Sequence, residues 1–410
     1  MSVIKKTTNF LSKESIASIV IAILLSTIML DYAFSSITFG VLGVYTFFIL
    51  CTKKKVCFQK ELVLPIIIYV LFLTSYFWSV NTDLTLKGIG RTVSLIVCPL
   101  IFCILPKFKL RQTNLILEIY SKLNVLYAIF FLGCAIFNFQ TTKSFSSFTY
   151  HNLVSVFELN AIYVSAYFAL SFSYLVSKKE KTLVDIVGAM ILLMTIILLS
   201  SKMMIVVISG LIFVLLFKQI KKSNYKTAGL FGTIFIGVII VLVSLKPFNQ
   251  RFVDELKTNV SDIVNKEQFG RDYVWTGSSI RLLQLRILSD QLKEEDIFFK
   301  GFGLFASREN LRDRHINYNT YYGFHKYNYH NQYAQIIAEL GIIGLLLLFS
   351  VLFLNIKNAL RAKHTAFIFF SISMALLFMT ESFLWTQRGL FFFIIVYCLF
   401  NRTDFKSDTQ

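Results

Sequence analysis

The sequence predicts an all-α, polytopic integral membrane protein, and three observations carry that prediction. Of 410 residues, 56% are hydrophobic and only 16% are charged, with a mean hydropathy of +0.65, which is more apolar than a soluble domain can bury. Apolar segments, most of them about 16 to 22 residues long, recur along the chain, a length that crosses a hydrocarbon layer of roughly 30 Å. Basic clusters mark every second connection between them.

Taken in order, the segments are 15–34, 36–51, 62–80, 92–106, 122–139, 152–176, 184–200, 203–217, 228–245, 332–355, 365–385 and 389–400, about twelve transmembrane helices in all. Lys5, Lys6 and Lys13 precede the first, and no small-residue cleavage site follows, so it is expected to be retained. The cysteines Cys51, Cys57, Cys98, Cys103, Cys134 and Cys398 lie in or beside spans without a CxxC pair. Neither a disulfide framework nor a metal site is expected, and no cofactor.

The basic clusters are Lys53–Lys55 with Lys60; Lys107, Lys109 and Arg111; Lys178, Lys179 and Lys181; Lys218, Lys221, Lys222 and Lys226; and Lys357, Arg361 and Lys363. The positive-inside rule assigns these connections and both termini to the cytoplasm. The chain then divides into an N-terminal membrane part with helices 1–9 (1–245), one long outward loop with short amphipathic helices (246–331), and C-terminal helices 10–12 (332–410). The net charge of +18 is mainly a topology signal, secondarily an attraction to anionic membrane lipids. Nucleic acid is not an expected partner, because the cations are scattered over membrane-flanking loops. Within the outward loop, Leu282, Leu285, Leu288 and Leu292 predict a helix over 281–292 whose apolar face packs on the bundle mouth. "GFG" at 301–303 predicts a tight turn.

Ionisable groups at the ends of spans are costly and point to function. Lys202 in "SSK", Arg281 and Arg286 on the loop helix, His330 above the tenth span, and Arg388 after Glu381 all fall on the outward side. Glu158 and Asn160 interrupt the sixth span below His151 and Asn152. A cationic cluster with a histidine suits an anionic, phosphate-bearing substrate: guanidiniums clamp phosphate oxygens and a neutral imidazole accepts a hydroxyl proton. Snorkelling anchorage is the other reading of Lys202 and Arg388. His151, His315 and His325 remain unassigned, and Glu339, opposite His330 on the helix, is expected to pair inside the bundle.

The stretch "YHNQYAQIIAELGIIGLLLLFS" (329–350) joins these features. On one continuous helix His330, Gly341 and Gly344 fall within roughly 60°, a stripe with a polar head and a bare patch for close helix packing. "HN", nine residues, "G", two residues, "G" resembles the signature of the O-antigen ligase superfamily of ligases, polymerases and bacterial protein O-oligosaccharyltransferases. "SSK" at 200–202 resembles that family's Ser-Arg element, with lysine in place of arginine. Arg281 followed by Gly301 resembles its arginine-to-glycine-turn element, and the span after "YHN" its sixth helix.

The resemblance implies a GT-C-like membrane glycosyltransferase of the inner (cytoplasmic) membrane, inverting and metal-independent, with a periplasmic active site. Its donor would be a glycan on undecaprenyl diphosphate. Its acceptor would be lipid A core for a ligase of lipopolysaccharide biosynthesis, the preferred reading, or a second lipid-linked glycan for a polysaccharide polymerase. It further implies that Arg281 binds the diphosphate, Lys202 supplements it, His330 orients or deprotonates the acceptor hydroxyl, and Asn331 supports the histidine. Arg286 and Arg388 are additional substrate-binding candidates. A transporter of lipid-linked glycan is the competing class, but the halves show no internal repeat and no pair of broken helices near the midplane.

Overall fold

The computed structural model describes residues 13–53, 56–221, 229, 253–270 and 272–406; of the expected ninth span, 228–245, only Gly229 is among them. The described residues are overwhelmingly helical. Helices α1 (Lys13–Thr27), α2 (Tyr32–Lys53), α3 (Lys60–Thr74), α4 (Thr82–Arg91), α5 (Ser94–Ile104) and α6 (Leu110–Thr142) are followed by α7 (Ala161–Ser177), α8 (Leu183–Leu198) and α9 (Lys202–Lys221). After the loop helices α10 (Gly277–Glu294) and α11 (Ser307–Asn317) come α12 (Gln332–Ala362), α13 (Thr365–Leu377) and α14 (Gln387–Asn401). A two-residue parallel pairing of β1 (Phe108–Lys109) with β2 (Thr403–Asp404) ties the chain end to the fifth connection.

Five helical stretches are long and apolar enough to cross a membrane, Tyr32–Thr52, Lys60–Trp78, Thr82–Ile104, Leu110–Thr142 and Gln332–Ala362, and six shorter apolar helices join them. Their outer faces carry exposed apolar residues such as Val44, Phe47, Phe137 and Phe353, an arrangement suited to lipid rather than water. Inside, Asn124 donates to Ser171 at 2.7 Å and Asn355 to Ser371 at 2.9 Å, polar ties between apolar helices.

The connections gather at two ends. Cys57 N–H bonds the Cys103 carbonyl, Asn358 bonds Glu61 and Asn401, and Lys178 pairs with Glu118 and Asp185, so described basic connections share one end. The opposite end holds the turns after α1, α3, α8 and α13 and the 253–331 cap.

Several expected boundaries move. The fifth span, expected over 122–139, is one helix from Leu110, about 50 Å long at 1.5 Å per residue; its polar first turns are held by a Gln112 cap and a Glu118–Lys122 pair. The sixth starts at Ala161 rather than 152. Glu158, at φ 50°, and Asn160, whose side chain caps Ile162, precede the helix instead of interrupting it. The span expected over 365–385 stops at Leu377, because Gln332 N–H takes the Phe378 carbonyl at 2.7 Å. Glu381 therefore lies in the turn between α13 and α14.

The largest correction concerns α12. It breaks at Gly341, with φ 64° and ψ −161°, so His330, Gly341 and Gly344 do not form one straight stripe. The freed backbone groups bond to the "FFKGFG" segment: Ile342 N–H to Phe298 O at 2.8 Å, Phe302 N–H to Ala338 O at 2.8 Å, and Gly303 N–H to Glu339 O at 2.9 Å. Irregular backbone at membrane depth is tolerated where protein satisfies it. A Cβ on Gly341 would lie 2.3 Å from the Phe299 carbonyl carbon, and one on Gly301 2.3 Å from that of Glu339. Gly341 thus admits a loop, not another helix, and the space at Gly344 faces Leu340 and Ile336 of its own helix. The predicted 301–303 turn is present, with both glycines at positive φ.

Candidate functional site

Helix α10 starts at a capping box in which Thr276 accepts from Ser279 N–H. Its buried face is Ser279, Ile280, Leu283, Gln284, Ile287, Leu288 and Gln291; of the expected Leu282, Leu285, Leu288 and Leu292, Leu288 is buried, Leu282 and Leu292 pack partly buried beside it, and Leu285 is exposed. That face packs on Leu311 of α11 and on Tyr329, Ala334 and Ala338 at the head of α12. Tyr329, fully buried, donates to Gln291 at 2.8 Å, and Gln284 donates to the Asn328 carbonyl at 2.7 Å. These contacts set Arg281 and His330 on the same wall.

His330 has φ 44°, the sparsely populated left-handed region for a non-glycine residue, a cost of order 1–3 kcal/mol that surrounding contacts must hold. Its N–H donates to Asn328 Oδ1 at 2.9 Å. Asn331 caps α12, accepting from Ala334 N–H at 3.0 Å, and donates from Nδ2 to the Met379 carbonyl at 3.0 Å. It supports the histidine through backbone placement.

Glu381 completes the arrangement. Its Oε2 lies 3.0 Å from His330 Nδ1 and its Oε1 3.7 Å from Arg281 Nη2, with the carboxylate side chain 5% exposed. Arg281 is fixed further by Nε to Thr380 O and Nη1 to Gly277 O, both 2.9 Å. A carboxylate only accepts, so its bond to Nδ1 places the imidazole proton there and leaves Nε2 as the acceptor.

Lys202 opens α9 after a turn in which Ser200 has φ 52°. It pairs with Glu255, whose other oxygen accepts from Ser278 N–H at 2.9 Å in the first turn of α10. Burial raises the Glu255 carboxyl, but Lys202 and Ser278 outweigh it and hold the group below its usual range. Glu255 Oε1 and Arg281 Nη1 lie 2.8 and 3.2 Å from the place a Gly277 Cβ would occupy. Lys202, Glu255, Arg281 and Glu381 therefore run as one chain of alternating charge that ends at His330.

Two expected site residues lie apart. Arg286 donates to the Ile263 and Lys266 carbonyls and sits over the Tyr318 ring at 4.7 Å; it ties the cap together. Arg388 donates to the Leu30 carbonyl at 3.0 Å and sits over Tyr32 at 4.7 Å, bracing α14 against the α1–α2 turn. Glu339 accepts from Gln335 at 2.7 Å and Trp385 at 3.0 Å, inside the bundle as expected. Glu381 carried one legible signal, a carboxylate in apolar surroundings; Glu255 carried none.

Several helices long and apolar enough to cross a membrane, with Lys202, Arg281 and His330 gathered at one end of the bundle, define a bacterial membrane protein. Residues 187–349 match the family model described as O-antigen ligase, so this part of the chain is similar to the O-antigen ligase superfamily. The match contains Lys202, Arg281, His330, Asn331, Gly341 and Gly344, while Glu381 and Arg388 lie beyond it. No curated protein matches the chain.

Proposed function

We propose that this protein is an O-antigen ligase, which moves a glycan from undecaprenyl diphosphate to a hydroxyl of lipid A core at the periplasmic face of the bacterial inner membrane. The observation that carries the reading is one carboxylate, Glu381, holding Arg281 and His330 with its two oxygens. In the proposed step the acceptor oxygen forms a bond to the anomeric carbon as the bond from that carbon to the phosphate oxygen breaks. The acceptor proton passes to His330 Nε2, and the electron pair leaves on the diphosphate, whose charge Arg281 and Lys202 stabilise. Attack opposite the leaving group inverts the anomeric centre. The acid–base and charge roles belong to side chains, so the reading assigns no metal or cofactor.

Arg281 keeps guanidinium donors beyond those used on Thr380, Gly277 and Glu381, and a guanidinium can meet phosphate bidentately. Lys202 supplies a point charge without that geometry. The ligase is preferred over the polymerase because the histidine element, "HN", nine residues, "G", two residues, "G", fits the ligase pattern at every fixed position.

The test is reconstitution of the purified protein with lipid-linked glycan and, separately, lipid A core or a second lipid-linked unit, products resolved by gel and mass spectrometry. Glycan joined to lipid A core supports the ligase. Elongated lipid-linked glycan alone would replace it with a polymerase, and movement across vesicles without a new glycosidic bond would replace it with a transporter.

A further inference from the structure

A ribbon of aromatic rings leaves His330 and crosses the cap. Tyr327 meets the His330 ring edge-on at 4.9 Å and Phe324 at 5.2 Å; Phe324 meets Tyr321 at 5.4 Å, and Tyr321 meets Tyr322 at 4.8 Å. Trp275 backs the ribbon at 5.3 Å from Phe324. Burial does not explain its outer members: Tyr322 is 74% exposed, Tyr321 48% and Tyr327 39%. Exposed contiguous aromatic surface on a loop beside a reactive group marks a binding surface.

We propose that this ribbon is a binding track for the sugar rings of the glycan, leading them to His330; the inference rests on the glycosyl-transfer reading above. Four features favour sugar over other occupants. Pyranose rings offer apolar C–H faces that lie on aromatic rings and equatorial hydroxyls that bond to phenols and amides. The segment "NYNTYYGFHKYNYHN" (317–331) supplies both, with tyrosines and asparagines interleaved, the combination of rigid amphipathic contact and adaptable hydrogen bonding used where a surface must grip a polar ligand. A membrane-interface belt would instead mix its rings with exposed aliphatic residues, and none occurs between Tyr318 and His330. The track is also pre-set: a Cβ on Gly323 would lie 2.4 Å from Tyr321 Cε1, so the Tyr321 ring rests against the glycine. Finally, the ribbon touches the imidazole itself, so a glycan lying on it ends at the reacting atom.

The test uses the full chain in lipid nanodiscs and, as probe, lipid-free oligosaccharide released by mild acid from the host's lipid-linked pool, with the oligosaccharide of the acceptor as a second arm. Binding is followed by saturation-transfer NMR and transfer by the reconstituted assay. The wild type should bind with saturation, and Tyr321→Ala with Tyr322→Ala should weaken binding and raise KM about tenfold or more, with a smaller fall in kcat. Gly323→Ala, which keeps every aromatic ring, should weaken binding in the same direction. The arm that responds names donor or acceptor glycan as the occupant. His330→Ala should lose transfer and retain binding. If the double variant binds like wild type, if the wild type shows no saturable binding, or if the tyrosine variants change only thermal stability in lipid, the track is overturned while the transfer reading stands on its own assay. Tyrosine-dependent binding in a protein that transfers to no acceptor would keep the track and remove the transferase.

Discussion

Glu381 and His330, 51 residues apart in sequence, meet at 3.0 Å between Oε2 and Nδ1. The bond fixes which imidazole nitrogen faces the substrate, so its loss changes chemistry more than folding. Glu381→Gln can donate to Nδ1 and select the wrong tautomer; kcat for transfer should fall about 10²-fold or more. Glu381→Asp should fall less. Saturating kinetics on both variants, with donor binding measured separately, checks this; equal and small losses would detach Glu381 from the reaction.

Lys202 and Glu255 neutralise each other beside Arg281. An anionic donor must compete with that carboxylate, so Glu255→Gln should tighten donor binding, while Lys202→Ala weakens it and Lys202→Arg weakens it less. Titration of undecaprenyl-diphosphate glycan at two salt concentrations reads all three. Weaker binding by Glu255→Gln would show that the carboxylate organises the site instead of occupying it.

Arg286 is bound to two cap carbonyls and a tyrosine ring. Arg286→Ala should lower the thermal midpoint yet leave donor KM near wild type, whereas Arg281→Ala should abolish transfer in a folded protein. A large rise in donor KM for Arg286→Ala would return it to the site.

Gly341→Ala adds a methyl 2.3 Å from the Phe299 carbonyl carbon, at φ 64°. The loop and the broken helix cannot both keep their places, and destabilisation of roughly 2 kcal/mol or more is expected. Unfolding in detergent measures it; a neutral substitution would mean the helix closes without cost.

His315 is buried in the cap, with Nδ1 3.3 Å from Thr320 Oγ1. Burial, then the nearby His325 and His330, push its pKa down to about 4. The folded state thus binds fewer protons than the unfolded one between about pH 6.5 and 4. Stability is full above that window and falls as pH drops through it, by roughly 3 kcal/mol in total. His315→Gln should flatten the pH dependence of the cap's hydrogen exchange; an unchanged slope would assign it elsewhere.

Much of this site was legible in the sequence because its signals are local. Hydropathy and charge counting place His330 at the head of an apolar run, Lys202 in a turn between spans and both Arg281 and Arg286 on a loop helix; the family resemblance singles out Arg281 and gives Asn331 its role. The partners were not legible, since Glu381 and Glu255 reach His330 and Lys202 across 51 and 53 residues of chain, and tertiary packing alone sets such meetings. Periodicity also misled where it assumed an unbroken helix: Gly341 was read as a packing position, although its positive φ serves a backbone junction with 298–303. The face of α10 was misread for a related reason. Its leucines suggested one stripe, but polar Gln284 and Gln291 are also buried, Gln284 donating to the Asn328 carbonyl and Gln291 bonding to Tyr329 and Asn310.

In the proposed reaction His330 takes the acceptor proton while Arg281 holds the departing diphosphate. Single-turnover transfer by His330→Ala, beside wild type and with donor binding confirmed in the same nanodiscs, tests it most directly. The account predicts donor bound at wild-type affinity and transfer slowed by about 10²-fold or more. Transfer at a near-wild-type rate would contradict it and reduce the histidine to a helix-end residue.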